Sequence, residues 1–174
     1  MTFVIVTDSA SDTPEGFKQR DDVFVAYTSI IIEGKEYLDN ELSISDLLDK
    51  FSQGLNSTTS MPSPAVMKET YDRAIASGLP VLGIHVSSRI SGTFNGAKLA
   101  VDENGADVVI FDTLNATVGS GYFVMLACRL KDKGYDRETI LALFQELKPK
   151  VHLELLFNDI DYLRRGGRVN LGQY

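Results

Sequence analysis

The chain has 174 residues, of which 44% are hydrophobic and 24% charged, with a formal net charge of −7 and a pI near 4.8. This suffices for one packed domain or two small subdomains, and it argues against nucleic-acid binding, because the nearest basic cluster is only Arg164, Arg165 and Arg168, broken by Gly166 and Gly167. No stretch approaches the roughly 20 apolar residues of a membrane span, and the amino terminus lacks a basic segment followed by an apolar one, so the cytoplasm is the expected location and stable membrane insertion is not expected.

Residues 3–7 are a short β-rich run ending in Asp8-Ser9-Ala10-Ser11-Asp12, which predicts a buried strand followed by a polar loop. A second β-branched stretch covers residues 23–32, and Glu33-Gly34-Lys35 suits a turn before Tyr37. Leu47, Leu48 and Phe51 at helical spacing predict a short helix over 45–52. Residues 57–64 read as a loop by composition, with Ser63 capping a helix, Pro64 in its first turn and Gly78 as its stop. Residues 81–86 form an apolar strand without alternation, as expected where both faces of a sheet are covered.

The polar run 87–92 then leads into a helix through Ala97 and Leu99 that ends before Gly105. Residues 108–111 predict another strand, 112–120 a loop, and about 121–133 a long apolar helix stopped by Gly134. Within it lies Cys128, the only cysteine, which excludes an intramolecular disulfide and reads as a core thiol. Asp136 and Thr139 begin a helix to about residue 147, residues 151–157 look like a strand, and 159–165 a last helical turn before Gly166. Alternating strands and helices predict an α/β fold, a layered and mainly parallel sheet with helices on both faces.

In such a sheet ligands lie beyond the carboxyl ends of the strands, where four polar loops are expected: 8–12, 58–63, 87–93 and 112–120. They are rich in hydroxyls and poor in acid–base groups. A catalytic serine needs a base, yet the chain holds only His85, inside an apolar strand, and His152, at the start of another; both read as structural. Asp8 or Asp112 could serve as a carboxylate base, although an Asp directly after a strand is often a turn-maker. No Cys/His set has metal-ligand spacing, and no metal or cofactor is expected. Ser91-Gly92-Thr93 at a helix start suits a carboxylate or phosphate, or Ser91 simply caps the helix, and spacing does not separate the two. Arg168, after two glycines, has the same ambiguity between an anion ligand and part of a helix stop.

Taken together, Val6-Thr7-Asp8-Ser9-Ala10-Ser11-Asp12, Thr59-Ser60-Met61-Pro62-Ser63-Pro64, Ser87-Ser88-Arg89-Ile90-Ser91-Gly92-Thr93-Phe94, Phe111-Asp112-Thr113-Leu114-Asn115-Ala116 and Leu163-Arg164-Arg165-Gly166-Gly167-Arg168 resemble the successive motifs of the bacterial DegV family. The resemblance implies a two-subdomain α/β protein, with residues about 1–60 and 61–174 contributing to the two subdomains. It implies a long-chain fatty acid as ligand, its carboxylate held by Thr59, Ser60, Ser91, Gly92 and Arg168, with Asp8, Ser9 and Asn115 lining the site. It further implies a carrier without catalytic residues that presents the acid to a separate fatty acid kinase, which makes acyl phosphate for phospholipid synthesis. Met61 stands where the family usually has glutamine, and Tyr27-Thr28 where a Pro-Leu pair is common. Family chains continue beyond the Gly-Gly-Arg motif, so the second subdomain is expected to be incomplete, and its open face would favour homo-oligomers. Two alternatives stand beside the carrier: a serine hydrolase or acyl transferase using Ser91 or Ser9 with an Asp, and a truncated chain with impaired lipid binding.

Overall fold

The computed structural model describes residues 3–101, 106–156, 160, 163, 164 and 166–168. Strand β1 (Val4–Asp8) is followed by one turn of 3-10 helix (Ser9–Ser11), then α1 (Glu15–Lys18), β2 (Val23–Ala26), β3 (Ser29–Ile32), β4 (Lys35–Leu38) and α2 (Ile44–Ser52). The chain continues through β5 (Ser57–Ser60), α3 (Pro64–Ile75), β6 (Val81–His85), α4 (Thr93–Ala100), β7 (Val108–Asp112), α5 (Thr117–Asp132) and α6 (Arg137–Leu147).

The expected α/β layer is present as a four-stranded parallel sheet ordered β2-β1-β6-β7. Its apolar strands lack alternation because both faces are covered. One face carries Phe3, Ile5, Leu82, Ile84 and Phe111 against Phe123, Val124, Ala127, Ile140 and Phe144 of α5 and α6. There Phe111, Phe123 and Phe144 stack in tilted and edge-on pairs with centroids 5.0–5.3 Å apart. The other face carries Val4, Val6 and Val81 against Met67, Tyr71, Ala74 and Ala97 of α3 and α4. Cys128 is buried in the first core, and burial pushes its thiol up to about 11, as suits a packing residue.

Local signals set several boundaries. Ser63 accepts from Val66 N at 3.2 Å with Pro64 opening α3, and Asp136 accepts from Thr139 N at 2.7 Å at the start of α6. Ser43 and Asp46 form a capping box on α2. The β3–β4 hairpin turns on Glu33 and Gly34, both at positive φ (48° and 79°).

Four expectations need correction. The stretch 23–32 is two strands in different sheets: β2 lies beside β1, whereas β3 centres an antiparallel sheet ordered β4-β3-β5. Residues 57–60, read as loop, are β5, paired with β3 through Ser29↔Ser60 and Ile30↔Thr59. Its hydroxyl side chains conceal the strand, since backbone pairing with β3 rather than apolar alternation makes it. The helix expected from about residue 121 begins at Thr117. Residues 151–156 form no strand, because among the described residues none pairs with them, and a β-strand needs a partner for its backbone groups. The end of that segment, residue 157, lies outside the described residues, as do most of the positions in the expected turn at 159–165, of which Leu163 and Arg164 are helical.

Candidate functional site

The loops leaving β1, β6 and β7 meet at the carboxyl end of the parallel sheet, joined by one buried network. The Asp8 Oδ2 atom accepts from His85 Nδ1 at 2.9 Å and from Val86 N at 3.2 Å. The other ring nitrogen, Nε2, lies 2.8 Å from the Tyr71 hydroxyl, and all three side chains are fully or almost fully buried. Burial and the nearby Asp8 carboxylate push the Tyr71 phenol well above its ordinary value, so it remains a donor. With Tyr71 donating to Nε2, Nδ1–H donates to Asp8, and the imidazole is used at both ends. Tyr71 reaches His85 only because β6 has a glycine beneath it: a Cβ on Gly83 would lie 2.2 Å from the Tyr71 oxygen. The His85 carbonyl accepts from Thr113 N at 3.2 Å and from Thr113 Oγ1 at 2.9 Å, which brings the β7 loop into the same network.

This network leaves little for nucleophilic catalysis. His85 is held away from any serine by its two partners. Ser9 Oγ accepts from Thr28 N at 2.9 Å and pairs with Thr28 Oγ1 at 2.9 Å, tying the end of β1 to the start of the small sheet. Thr28, part of the Tyr27-Thr28 departure from the family motif, is thus employed in a specific contact. Asp112 accepts from Ser88 N at 3.2 Å and Leu114 N at 3.0 Å, the work of a turn-making carboxylate. Among the described residues, no three His, Cys, Asp or Glu side chains are grouped so as to hold a metal ion.

The proposed head-group residues fall into two groups. Thr59 and Ser60 end β5, exposed, and among the described residues their hydroxyls have no hydrogen-bond partner. Ser91, half-buried, precedes α4; its Oγ accepts from Thr93 N at 3.2 Å and pairs with Thr93 Oγ1 at 2.8 Å. The residue flanking α4 is Gly92, whose lack of a side chain leaves the helix start without a side-chain cap of its own. Met61 joins the two groups: its sulfur would lie 2.6 Å from a Cβ on Gly92 and 3.9 Å from one on Gly96. The thioether therefore sits on the first turn of α4 and brings the end of β5 onto it.

Other candidates stand apart from that junction. Asp8 acts through the buried network, and Asn115, almost buried, donates to Val151 O at 3.0 Å and packs against Gly119. The Arg168 guanidinium is exposed and donates to Gly166 O at 2.8 Å, with Arg168 N bonded to Leu163 O; its described contacts are local and include neither Thr59 nor Ser91. The Asp8–His85–Tyr71 chain went unread in the sequence, although a histidine two positions after a glycine in an unalternating strand was its trace.

A four-stranded parallel layer with its polar loops gathered at one end, and a small antiparallel sheet tied to those loops through Ser9 and Met61, defines a layered α/β protein. The chain belongs to the DegV family, described as uncharacterised, which it matches over residues 2–173. A DegV domain-containing protein of Clostridium acetobutylicum is 34% identical over 171 residues, covering 95% of this chain and 61% of that protein. One from Deinococcus radiodurans is 34% identical over 172 residues, covering 97% and 61%. The structure of a DegV family protein from Thermus thermophilus, described for its fatty-acid binding, is 31% identical with a TM-score of 0.85 and covers 99% of this chain and 62% of its own. Bacillus subtilis DegV, a fatty-acid-binding protein, is 26% identical with a TM-score of 0.82, covering 97% and 61%. The chain thus spans about 61% of the length of these curated relatives.

Proposed function

We propose that this chain carries the head-group side of a long-chain fatty-acid site and acts as a carrier, presenting the acid to a separate fatty acid kinase in the cytoplasm. The observation that carries the reading is the seating of Met61 on Gly92, which sets the unpartnered Thr59 and Ser60 hydroxyls beside the start of α4. Hydroxyl donors and the N–H groups of a helix start stabilise a carboxylate while remaining neutral themselves. Arg168, whose described contacts are local, enters this reading only through the family resemblance, as a bidentate cation for the head group. Burying about fifteen methylenes at roughly 0.8 kcal/mol each gives on the order of 12 kcal/mol before ordering costs, enough to retain a lipid through purification. The fatty-acid-binding relatives support the ligand class, the engagement of both His85 nitrogens supports a carrier over a hydrolase, and the kinase step follows from the family resemblance.

Lipid extraction and native mass spectrometry of the purified chain test this. The expected result is a co-purifying acyl chain, or uptake of palmitate or oleate, weakened by about tenfold or more in Ser91→Ala and Thr59→Val because each removes a hydrogen bond to a charged group. No acyl chain and no uptake would overturn the reading, and ester hydrolysis abolished by Ser91→Ala would replace it with the hydrolase.

A further inference from the structure

The loop between β6 and α4 has a second side, away from the junction with Met61. There a cleft of about 350 Å³ opens between this loop, the loop after β7 and residues 151–153. Its walls are tied together: Ser87 N donates to Asn115 O at 2.8 Å, and Asn115 Nδ2 donates to Val151 O at 3.0 Å. Ser87 and Asn115 are themselves almost buried, so the floor is fixed while the mouth is open.

The polar lining consists of Arg89, His152, Ser87 and Asn115, and it includes no carboxylate among the described residues. The chain as a whole has a net charge of −7. Two other arginines are neutralised by neighbours, Arg20 by Asp22 and Asp132 and Arg137 by Asp107 and Glu138, while Arg73 and Arg129 lie over the Phe24 and Phe17 rings. Among the described residues, Arg89 and His152 have neither a hydrogen-bond nor an ion-pair partner from their side chains, and both are exposed at the cleft. An arginine without a carboxylate partner, with an imidazole and a hydroxyl in the same cleft, makes a site for an anion.

We infer that this cleft binds a phosphate group, at a site separate from the Thr59 and Ser91 hydroxyls. A planar carboxylate would be satisfied by the Arg89 fork alone, whereas a tetrahedral phosphate also uses the His152 ring and the Ser87 hydroxyl. Ile90, Leu114, Val151 and Leu153 complete the lining and suit a short carbon substituent, so the ligand class is a phosphomonoester, with free phosphate carrying the same oxyanion. The inference does not depend on fatty-acid binding, since neither Ser91 nor Thr59 lines the cleft.

His85 and His152 are the only histidines, so their ring C–H signals in proton NMR report on the cleft and on the buried network separately. The 174-residue chain is titrated with inorganic phosphate, with n-butyl phosphate, and with sodium chloride at matched ionic strength. Both phosphates are expected to shift the His152 signals saturably and leave those of His85 in place. Butyl phosphate is expected to bind about tenfold tighter through its partly buried carbons, and Arg89→Ala to weaken both at least tenfold. Tighter binding of butyl phosphate identifies an ester as the ligand, and equal binding identifies free phosphate. A His152 shift no larger than with chloride, or one unchanged in Arg89→Ala, overturns the inference. Lipid extraction of the same samples reads the fatty-acid site, so loss of acyl loading leaves the phosphate result standing and the reverse.

Discussion

Every residue of β1 and β6 is buried, and α5 contributes eight buried residues to the layer beneath them, whereas α2, β4 and β5 are half-buried or exposed throughout. In α2, Ile44 and Leu48 remain 78% and 61% exposed although the helix has good caps at its start. Both layers have regular backbone hydrogen bonding, so the contrast lies in side-chain burial. The parallel layer is stabilised by apolar packing on two faces, and the small sheet by strand pairing, the Ser9–Thr28 bonds and the seat of Met61 on Gly92. A layer with few buried apolar contacts opens at low cost, and this is the layer that carries Thr59 and Ser60. The arrangement places the exposed end of β5 against a closely packed platform.

Truncating the platform should give the largest effect. Phe123→Ala removes a fully buried ring from the Phe111–Phe123–Phe144 cluster and should cost about 3–5 kcal/mol in urea unfolding. Next is the ion pair at the opposite end of the sheet from the loops. Arg20 donates two hydrogen bonds to Asp22, and Lys131, on α5, donates to Asp22 at 2.7 Å and to the Phe3 carbonyl. Asp22→Asn leaves the Lys131 ammonium buried with its charge uncompensated and should cost about 3 kcal/mol.

The same group predicts a pH dependence. The Arg20 hydrogen bonds, reinforced by Lys131 and opposed by burial, hold the Asp22 carboxyl far below the usual carboxylate range. A carboxyl titrating lower in the folded than in the unfolded chain contributes stability that is complete above about pH 5, begins to be lost as pH falls below about 4, the unfolded value, and goes on being lost towards the lowered folded value. Unfolding measured between pH 7 and pH 3 should show this loss in the parent chain and a shallower one in Asp22→Asn. The smallest effect belongs to the thin layer: Leu48→Ser should change stability by less than about 0.5 kcal/mol, since the side chain is already mostly in water. A cost near that of Phe123→Ala would show that α2 is packed in solution and would remove the contrast between the layers.

The sequence by itself determined the parallel layer. Unalternating apolar strands at 81–86 and 108–111, the Ser63-Pro64 and Asp136 starts, and the glycine stops are local signals, and each appears in the structure within a few residues of where it was read. The hydroxyl-rich loops after β1, β6 and β7 were legible in the same way, because composition alone marks them, whereas the one expected over 58–63 is β5 as far as Ser60. What only the tertiary structure decided is nonlocal. Residues 57–60 become a strand because β3 stands beside them, while the strand-like run 151–156 lacks a described partner and forms none. Spacing left Ser91 between cap and ligand; the fold gives it a bond to Thr93 and sets the end of β5 beside it through Met61. Asp8 and His85 lie 77 positions apart, and no local pattern could join them. Helix caps, turns and apolar runs are chosen by neighbours along the chain, whereas strand pairing and buried polar networks are chosen by groups that only folding brings within hydrogen-bond reach.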